Sequence, residues 1–171
     1  MTKDQKIVAV GAASGVTTMV VAVSAIYWLW PVDPGLVDVA SRLAYALKAD
    51  VVAVLPLLVS IIAVANRRFN TEAIDPTLHK EDRAAVIDGR VADNTLQQYV
   101  LFLIGTLALS VNLTAEQMRV IPAAAIVFVA ARIAFWIGYR IHPLYRAFGM
   151  AATSYLCLGL IVAALWKLLP L

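Results

Sequence analysis

The residues 90–97 carry polar side chains at helical spacing directly before a long apolar run. Arg90, Asn94 and Gln97 lie four and three residues apart, so a helix would place them on one face. A guanidinium can pair bidentately with a carboxylate or a phosphate, and the two amides both donate and accept hydrogen bonds. This face therefore suits the binding of a small anionic ligand.

A second set follows further along the chain, where Arg132, Phe135 and Tyr139 repeat the helical spacing. Arg132 lies well inside an apolar run, and a charged side chain at that depth costs about 2.5–3.5 kcal/mol on insertion scales. We therefore expect a polar or anionic partner for its guanidinium. After Pro143 breaks the helix, Arg146 opens the next apolar run at the level of Tyr139.

These polar residues have a structural interpretation as well as a functional one. Arg132 could pair with a carboxylate or a helix carbonyl, while Arg90 and Arg146 anchor their helices at the membrane surface. Asn94 and Gln97 could then join neighbouring helices by hydrogen bonds. Spacing alone leaves both interpretations open.

The elements that must position these residues are membrane spans. The chain is 62% hydrophobic and only 15% charged, and its mean hydropathy is +0.82, which is typical of an integral membrane protein. A bilayer core about 30 Å thick needs roughly 20 apolar residues for each helix. Five apolar runs of about this length occur, at residues 7–30, 43–65, 96–112, 119–140 and 148–168.

The first run is predicted to be a retained span, because it ends in the aromatic cluster at Tyr27 and lacks a clear cleavage site. Lys and Arg concentrate on the side of the amino terminus, the 67–93 loop and the 140–147 turn, which predicts that these segments are cytoplasmic. This asymmetry explains the net charge of +3 without a nucleic-acid partner. The compact loops and the lack of a clear transit peptide favour a bacterial inner membrane.

Other kinds of site find little support in the sequence. Cys157 is the single cysteine, so an internal disulfide is excluded, and a lone thiol in an apolar run favours packing. His79 and His142 are far apart and have no partner at ligand spacing, so we expect no metal site. We also find no Gly-rich phosphate loop.

Three segments resemble the MAPEG superfamily, the membrane-associated proteins in eicosanoid and glutathione metabolism. Arg90-x-x-x-Asn94-x-x-Gln97 is similar to the Arg-x-x-x-Asn-x-x-Glu motif that opens the second helix of the family. ARIAFWIGYRIHPLYRAFG is similar to its third-helix motif, in which Arg, Tyr and Arg follow at seven-residue steps. VANRRFNTEAIDP is similar to the end of its first helix and the following loop. The resemblance covers about 43–168.

The resemblance implies an all-α membrane fold with five spans. A MAPEG-like four-helix transmembrane bundle would occupy 35–171, and 1–34 would form an extra amino-terminal transmembrane helix and its connector. Members of the superfamily such as the microsomal glutathione transferases imply a homotrimer, with glutathione as cosubstrate between subunits near the cytoplasmic face. The extra helix would cover the bundle or meet a membrane protein partner.

Roles carry over from the family motifs residue by residue. Arg90 and Asn94 would hold the polar backbone and the carboxylates of glutathione, and Tyr139 would add a contact. Arg132 would support the site from deeper in the bundle. Arg146 would lie beside the sulfur as the catalytic residue.

Two further positions complete the implied glutathione site. Gln97 belongs to the second-helix motif, and Arg67 aligns approximately with a ligand contact of the family. The implied activity is a glutathione transferase or peroxidase that acts on lipids and lipophilic small molecules reached from the bilayer, through an arginine-stabilised thiolate.

The chain departs from the family motifs in two places. Gln97 stands where the family usually has Glu, and Phe135 stands where its synthases have Tyr. Asp93 could replace the missing Glu from one turn away, or it could repel a ligand carboxylate. A non-catalytic protein of this fold, which binds lipid or joins a membrane complex, therefore remains an alternative.

Overall fold

The structure, a computed structural model, describes residues 1–78 and 80–169. Within these residues, three short 3-10 turns lie in the connections, at Glu72–Ile74, Pro76–Leu78 and Gln117–Arg119. The α-helices in the described residues are α1 (Lys3–Leu29), α2 (Val39–Ala53), α3 (Leu55–Phe69), α4 (Arg83–Asn112), α5 (Val120–Ile141) and α6 (Ala147–Leu168).

The described residues contain five helical segments that are long and apolar enough to cross a membrane. They are α1, α2 with α3, α4, α5 with its preceding turn, and α6. The five predicted spans are therefore found as helices, and the chain is an integral membrane protein.

The largest difference from the predicted boundaries is at the start of α4. The sequence analysis assigned 67–93 to a loop, but α3 continues to Phe69 and α4 begins at Arg83. The Asp82 side chain caps this start by accepting a hydrogen bond of 2.6 Å from the backbone N–H of Ala85. Hydropathy missed these first turns because they are polar and extend beyond the apolar run. The connection is consequently only residues 70–82.

The second span is interrupted between α2 and α3. Val54 separates the two helices, and its N–H donates to the backbone carbonyl of Asp50 at 3.0 Å. Pro56 lies in the first turn of α3, where its missing N–H is tolerated. A single span is thus built from two helices.

The bundle that carries the polar residues consists of α2 with α3, α4, α5 and α6. Phe102 of α4 and Phe128 of α5 are fully buried at its centre, with ring centroids 4.6 Å apart. The α1 helix packs outside, along α6 and against part of α5. Met19 of α1 also belongs to the buried core.

Two glycines allow backbones to approach closely at the first turn of α6. A Cβ atom on Gly15 of α1 would collide with the carbonyl of Phe148, and one on Gly149 would collide with the backbone of Ala131 and Phe135 in α5. The first turn of α6 is therefore fixed between α1 and α5. This turn immediately follows Arg146.

Replacing Gly15 with Ala tests this contact. Gly15→Ala should lower the free energy of unfolding by about 1–3 kcal/mol, because the added methyl forces α1 and α6 apart. Denaturant titration in mixed micelles measures the change. Gly89→Ala is the matched control, since a Cβ there meets no atom within 4 Å, and it should leave stability unchanged or raise it by about 1 kcal/mol. Equal effects at both sites would contradict the contact.

Candidate functional site

A polar cavity of about 390 Å³ lies at the end of the bundle where α4 and α6 begin and α5 ends. Its walls are formed by Arg90, Asp93, Asn94, Gln97, Phe135, Tyr139, Arg146 and Met150. The three residues of the first motif face this cavity together, as their spacing predicted. Tyr139 and Arg146 join them from α5 and from the start of α6. We call this space the Tyr139 cavity.

The hydroxyl of Tyr139 connects two guanidinium groups. It accepts hydrogen bonds from Arg146 Nη1 at 2.9 Å and from Arg90 Nη1 at 3.4 Å. The Arg146 guanidinium also lies over the Tyr139 ring, 4.9 Å from its centroid. Tyr139 is buried while both arginines are exposed, so each guanidinium keeps other N–H groups for a ligand. Two positive charges are thus held at one point of the cavity.

Arg132 lies behind the cavity wall with only 1% of its surface exposed. Its Nη1 donates to Asn94 Oδ1 at 3.0 Å and to Thr153 Oγ1 at 3.2 Å. Its guanidinium also lies over the Phe135 ring, 4.0 Å from the centroid. The polar partner expected for Arg132 is therefore found, on two neighbouring helices.

The Arg132 hydrogen bond also orients Asn94. Because the amide oxygen of Asn94 faces Arg132, its amide nitrogen is left to donate on the cavity side. The guanidinium further polarises this amide, and hydrogen bonds that involve a charged group are the stronger ones. Arg132 itself does not line the cavity, so it acts on a ligand through Asn94.

The cavity also contains one carboxylate. Asp93 lines it and forms no ion pair with another described residue, while Gln97 is neutral. With Arg90 and Arg146, the lining carries two positive charges and one negative charge. This combination suits a ligand that bears carboxylates and an ammonium and is anionic overall.

Arg67, which the sequence analysis placed in the glutathione site, lies outside the Tyr139 cavity. Its Nε donates to Asp88 Oδ2 at 3.3 Å and its Nη1 to Asp82 Oδ2 at 3.4 Å. It lines a separate cavity of about 310 Å³ together with Asp88 and Arg140. Within one chain, Arg67 does not reach the Tyr139 cavity, and a ligand contact would require a neighbouring subunit.

Asp88 is a structural residue that the sequence analysis missed. It is fully buried and accepts hydrogen bonds from Arg140 Nη2 at 2.6 and 2.7 Å, and from Trp136 Nε1 at 2.8 Å. With Arg67, these contacts join α3, α4 and α5. Assigning 67–93 to a loop concealed Asp88; an earlier start of α4 would have placed it near the end of α5.

Asp50 is a second missed residue, although it lies inside a predicted span. It is 2% exposed, and its Oδ1 accepts a hydrogen bond of 2.9 Å from Thr106 Oγ1. Tyr99 also donates to its backbone carbonyl at 3.2 Å. Asp50 thus belongs to a polar contact between α2 and α4, away from the Tyr139 cavity.

The residues considered for other chemistry show ordinary contacts. The buried Cys157 thiol donates to the backbone carbonyl of Gln98 at 3.4 Å. Within 1–78 and 80–169, no three His, Cys, Asp or Glu side chains are arranged as a metal site requires. His79 lies outside the described residues.

The fold and the Tyr139 cavity define a class of protein: an α-helical integral membrane protein with a polar, net positive cavity at one end of its bundle. The sequence model of the MAPEG family matches residues 45–166 of this chain. The chain therefore belongs to the MAPEG family. The matched residues cover most of the second span and the three that follow, while α1 lies outside them.

Two curated relatives carry the same name. The chain is 24% identical over 143 residues to transmembrane protein 79 of Mus musculus, a match that covers 83% of this chain and 36% of that protein. It is 25% identical over 142 residues to transmembrane protein 79 of Bos taurus, covering 82% and 35%. The chain thus spans about a third of the length of these relatives. No solved structure matches it.

Replacing Asp88 with Asn tests its role in stability. Asp88→Asn should lower the free energy of unfolding by about 2 kcal/mol, because the variant loses charge-assisted hydrogen bonds to two arginines. The arginines are partly exposed, so solvent screening reduces the loss. Denaturant titration in mixed micelles measures the loss. Asp82→Asn is the control: its side chain is exposed and Asn also caps a helix, so it should cost less than about 1 kcal/mol. A loss at Asp82 as large as at Asp88 would contradict this role.

Proposed function

We propose that this protein binds glutathione in the Tyr139 cavity and acts as a glutathione-dependent transferase or peroxidase on lipophilic electrophiles. The proposal is carried by one observation: the Tyr139 hydroxyl holds the guanidiniums of Arg90 and Arg146 together at the cavity. Glutathione has carboxylates, an ammonium and a thiol. The cavity offers complementary groups for all three.

The contacts would divide the ligand between the helices. Arg90 and the amide of Asn94 would bind carboxylates, and Gln97 would add a neutral hydrogen bond. Asp93 would bind the ammonium, in place of the Glu that the family usually has at Gln97. Arg146, at the start of α6, would lie beside the sulfur.

The proposed catalytic step depends on the charge at Arg146. A free thiol has a pKa of about 8.5, and the thiolate is the nucleophile. A nearby guanidinium stabilises the anion, and each pKa unit of lowering corresponds to about 1.36 kcal/mol. The role of Arg146 is therefore electrostatic and requires no proton transfer by its side chain.

Two reactions follow from such a thiolate. In transfer, the sulfur forms a bond to an electrophilic carbon, and a leaving group departs or the adduct takes up a proton. In peroxide reduction, the thiolate sulfur attacks the outer oxygen of a lipid hydroperoxide and the O–O bond breaks. A sulfenic acid and a lipid alkoxide form, and the alkoxide takes up a proton from water to give the lipid alcohol. A second glutathione then reduces the sulfenic acid, giving glutathione disulfide and water.

The proposal includes an assembly and an orientation. A homotrimer would place glutathione between subunits, and Arg67 would contact it from the adjacent subunit. The excess of Lys and Arg near the amino terminus and residues 67–93 supports a cytoplasmic position for the Tyr139 cavity. A bacterial inner membrane remains the proposed location. A native mass of one chain only in mild detergent would exclude the trimer.

A second candidate function is non-catalytic: lipid binding or assembly of a membrane complex through the same fold. The observation that favours it is Gln97, which lines the cavity without the negative charge of Glu. Loss of that charge would weaken glutathione binding while leaving the bundle intact. Binding measurements distinguish the two functions.

Isothermal titration calorimetry with glutathione tests the proposal. The detergent-solubilised parent should bind saturably. Arg90→Gln should weaken binding about tenfold or more, because a charge-assisted hydrogen bond contributes roughly 1.5–3 kcal/mol. Arg83→Gln is the control, since Arg83 is exposed at the start of α4 and does not line the cavity. An absence of saturable binding to the parent at millimolar glutathione would refute the proposal.

Two further variants in the same titration test how the ligand is oriented. Asp93→Asn should weaken binding of glutathione but not of an analogue that lacks the amino group, because only the ammonium needs the carboxylate. Gln97→Glu should raise the affinity for glutathione, whereas the affinity for the analogue should fall or stay unchanged. An Asp93→Asn effect of the same size on both ligands would contradict the assignment of the ammonium to Asp93.

A further inference from the structure

A second cavity lies away from the Tyr139 cavity, between α1, α4 and α6. Its volume is about 590 Å³, within the range of about 300–1,000 Å³ that is common for ligand sites. Apolar side chains form most of its wall, among them Val16 and Met19 of α1, Leu109 of α4, and Leu160 of α6. We call it the α1 cavity.

The α1 helix packs along α6, and two glycines of α1 make part of this contact especially close. Gly11 and Gly15 fit against Ala147 and Phe148 near the start of α6. Further along α1, Ala22, Val23 and Ile26 pack against the buried core, while Met19 lines cavities of about 590 and 240 Å³. The second half of α1 therefore packs against the bundle but leaves space beside Met19.

The α1 cavity opens toward the bilayer. Val20 and Tyr155 line it and are 52% and 54% exposed, and Gly159 beside them is also exposed. These residues lie well inside their spans, at the depth of the hydrocarbon core. Lipid chains surround the protein at that depth, so an occupant that enters sideways must be apolar there.

One end of the α1 cavity is polar. Ser24, Tyr27 and Gln117 line it where α1 and α4 end, which is the membrane surface opposite the Tyr139 cavity. The Arg119 guanidinium lies over the Tyr27 ring, 4.6 Å from its centroid, and pairs with Glu116 at 3.1 Å. An apolar passage that ends at polar and aromatic groups matches the two parts of a lipid molecule.

We propose that the α1 cavity binds an acyl chain of a membrane lipid, with the headgroup at the level of Tyr27 and Gln117. The acyl chain fills the space beside Met19 and adds van der Waals contacts to α1, α4 and α6. Bound in this way, the lipid adds to the contacts between the second half of α1 and the bundle. This site does not depend on glutathione binding, because it shares no residue with the Tyr139 cavity.

Native mass spectrometry of the full chain tests the site, with lipid extraction after exhaustive detergent exchange. The parent, purified from membranes, should retain about one phospholipid per chain. Gly159→Phe should reduce this occupancy about tenfold or more, because a Cβ at Gly159 meets no atom within 4 Å and the ring can fill the cavity. Ala163→Phe, from another exposed position in the wall, should have the same effect.

Gly89→Phe is the matched control, because this glycine also has no atom within 4 Å of an added Cβ and lies outside the cavity. It should retain the lipid of the parent. Thermal unfolding of each variant identifies any loss of fold. Equal lipid retention in the parent and both folded cavity variants would overturn the proposal, as would a parent without lipid. If a cavity variant keeps its lipid but no longer forms the oligomer seen for the parent, the cavity would instead be assigned to contact with a second copy of the chain.

Discussion

Burial of the Arg132 guanidinium is the constraint on which the arrangement of α4, α5 and α6 depends. A charge in the interior of a span is stable only with polar partners, and Arg132 finds them in Asn94 of α4 and Thr153 of α6. The face of the Phe135 ring adds a third contact within α5. A rotation of any of these helices would break at least one contact. Both hydrogen bonds use Nη1, so they offset only part of the cost of burying the charge, and they also fix the helices around the cavity.

The cavity takes its chemistry from this fixed arrangement. Two turns from Arg132, Tyr139 reaches the point where Arg90 and Arg146 converge on its hydroxyl. Asp88 holds the adjoining ends of α3, α4 and α5 through Arg67, Arg140 and Trp136. Close packing at Gly15 and Gly149 fixes the start of α6. The packed helices thus hold the two positive charges close together before a ligand arrives. Binding of an anion is favoured because the guanidinium groups do not have to be brought together first.

Sequence reasoning predicted the parts of this site that depend on local spacing. Arg90, Asn94 and Gln97 share one face because four-residue and three-residue steps do so on any helix, and the five spans follow from hydropathy alone. The predicted start of α4 was wrong, because the polar part of a helix outside the bilayer leaves no hydropathy signal. The contact of Arg67 with Asp88 depends on helices joined through tertiary structure, and spacing within one helix contains no information about it. The α1 cavity is likewise a property of packing between helices distant in sequence.

The proposed stabilisation of a glutathione thiolate beside Arg146 is tested most directly by the ultraviolet absorbance of the bound thiolate as a function of pH. In the parent, the pKa of the bound thiol should lie clearly below the value of about 8.5 for a free thiol. In Arg146→Gln it should rise by about one unit or more, because the guanidinium no longer stabilises the anion. Glutathione that binds the parent with a thiol pKa of about 8.5 or higher would contradict the proposed mechanism.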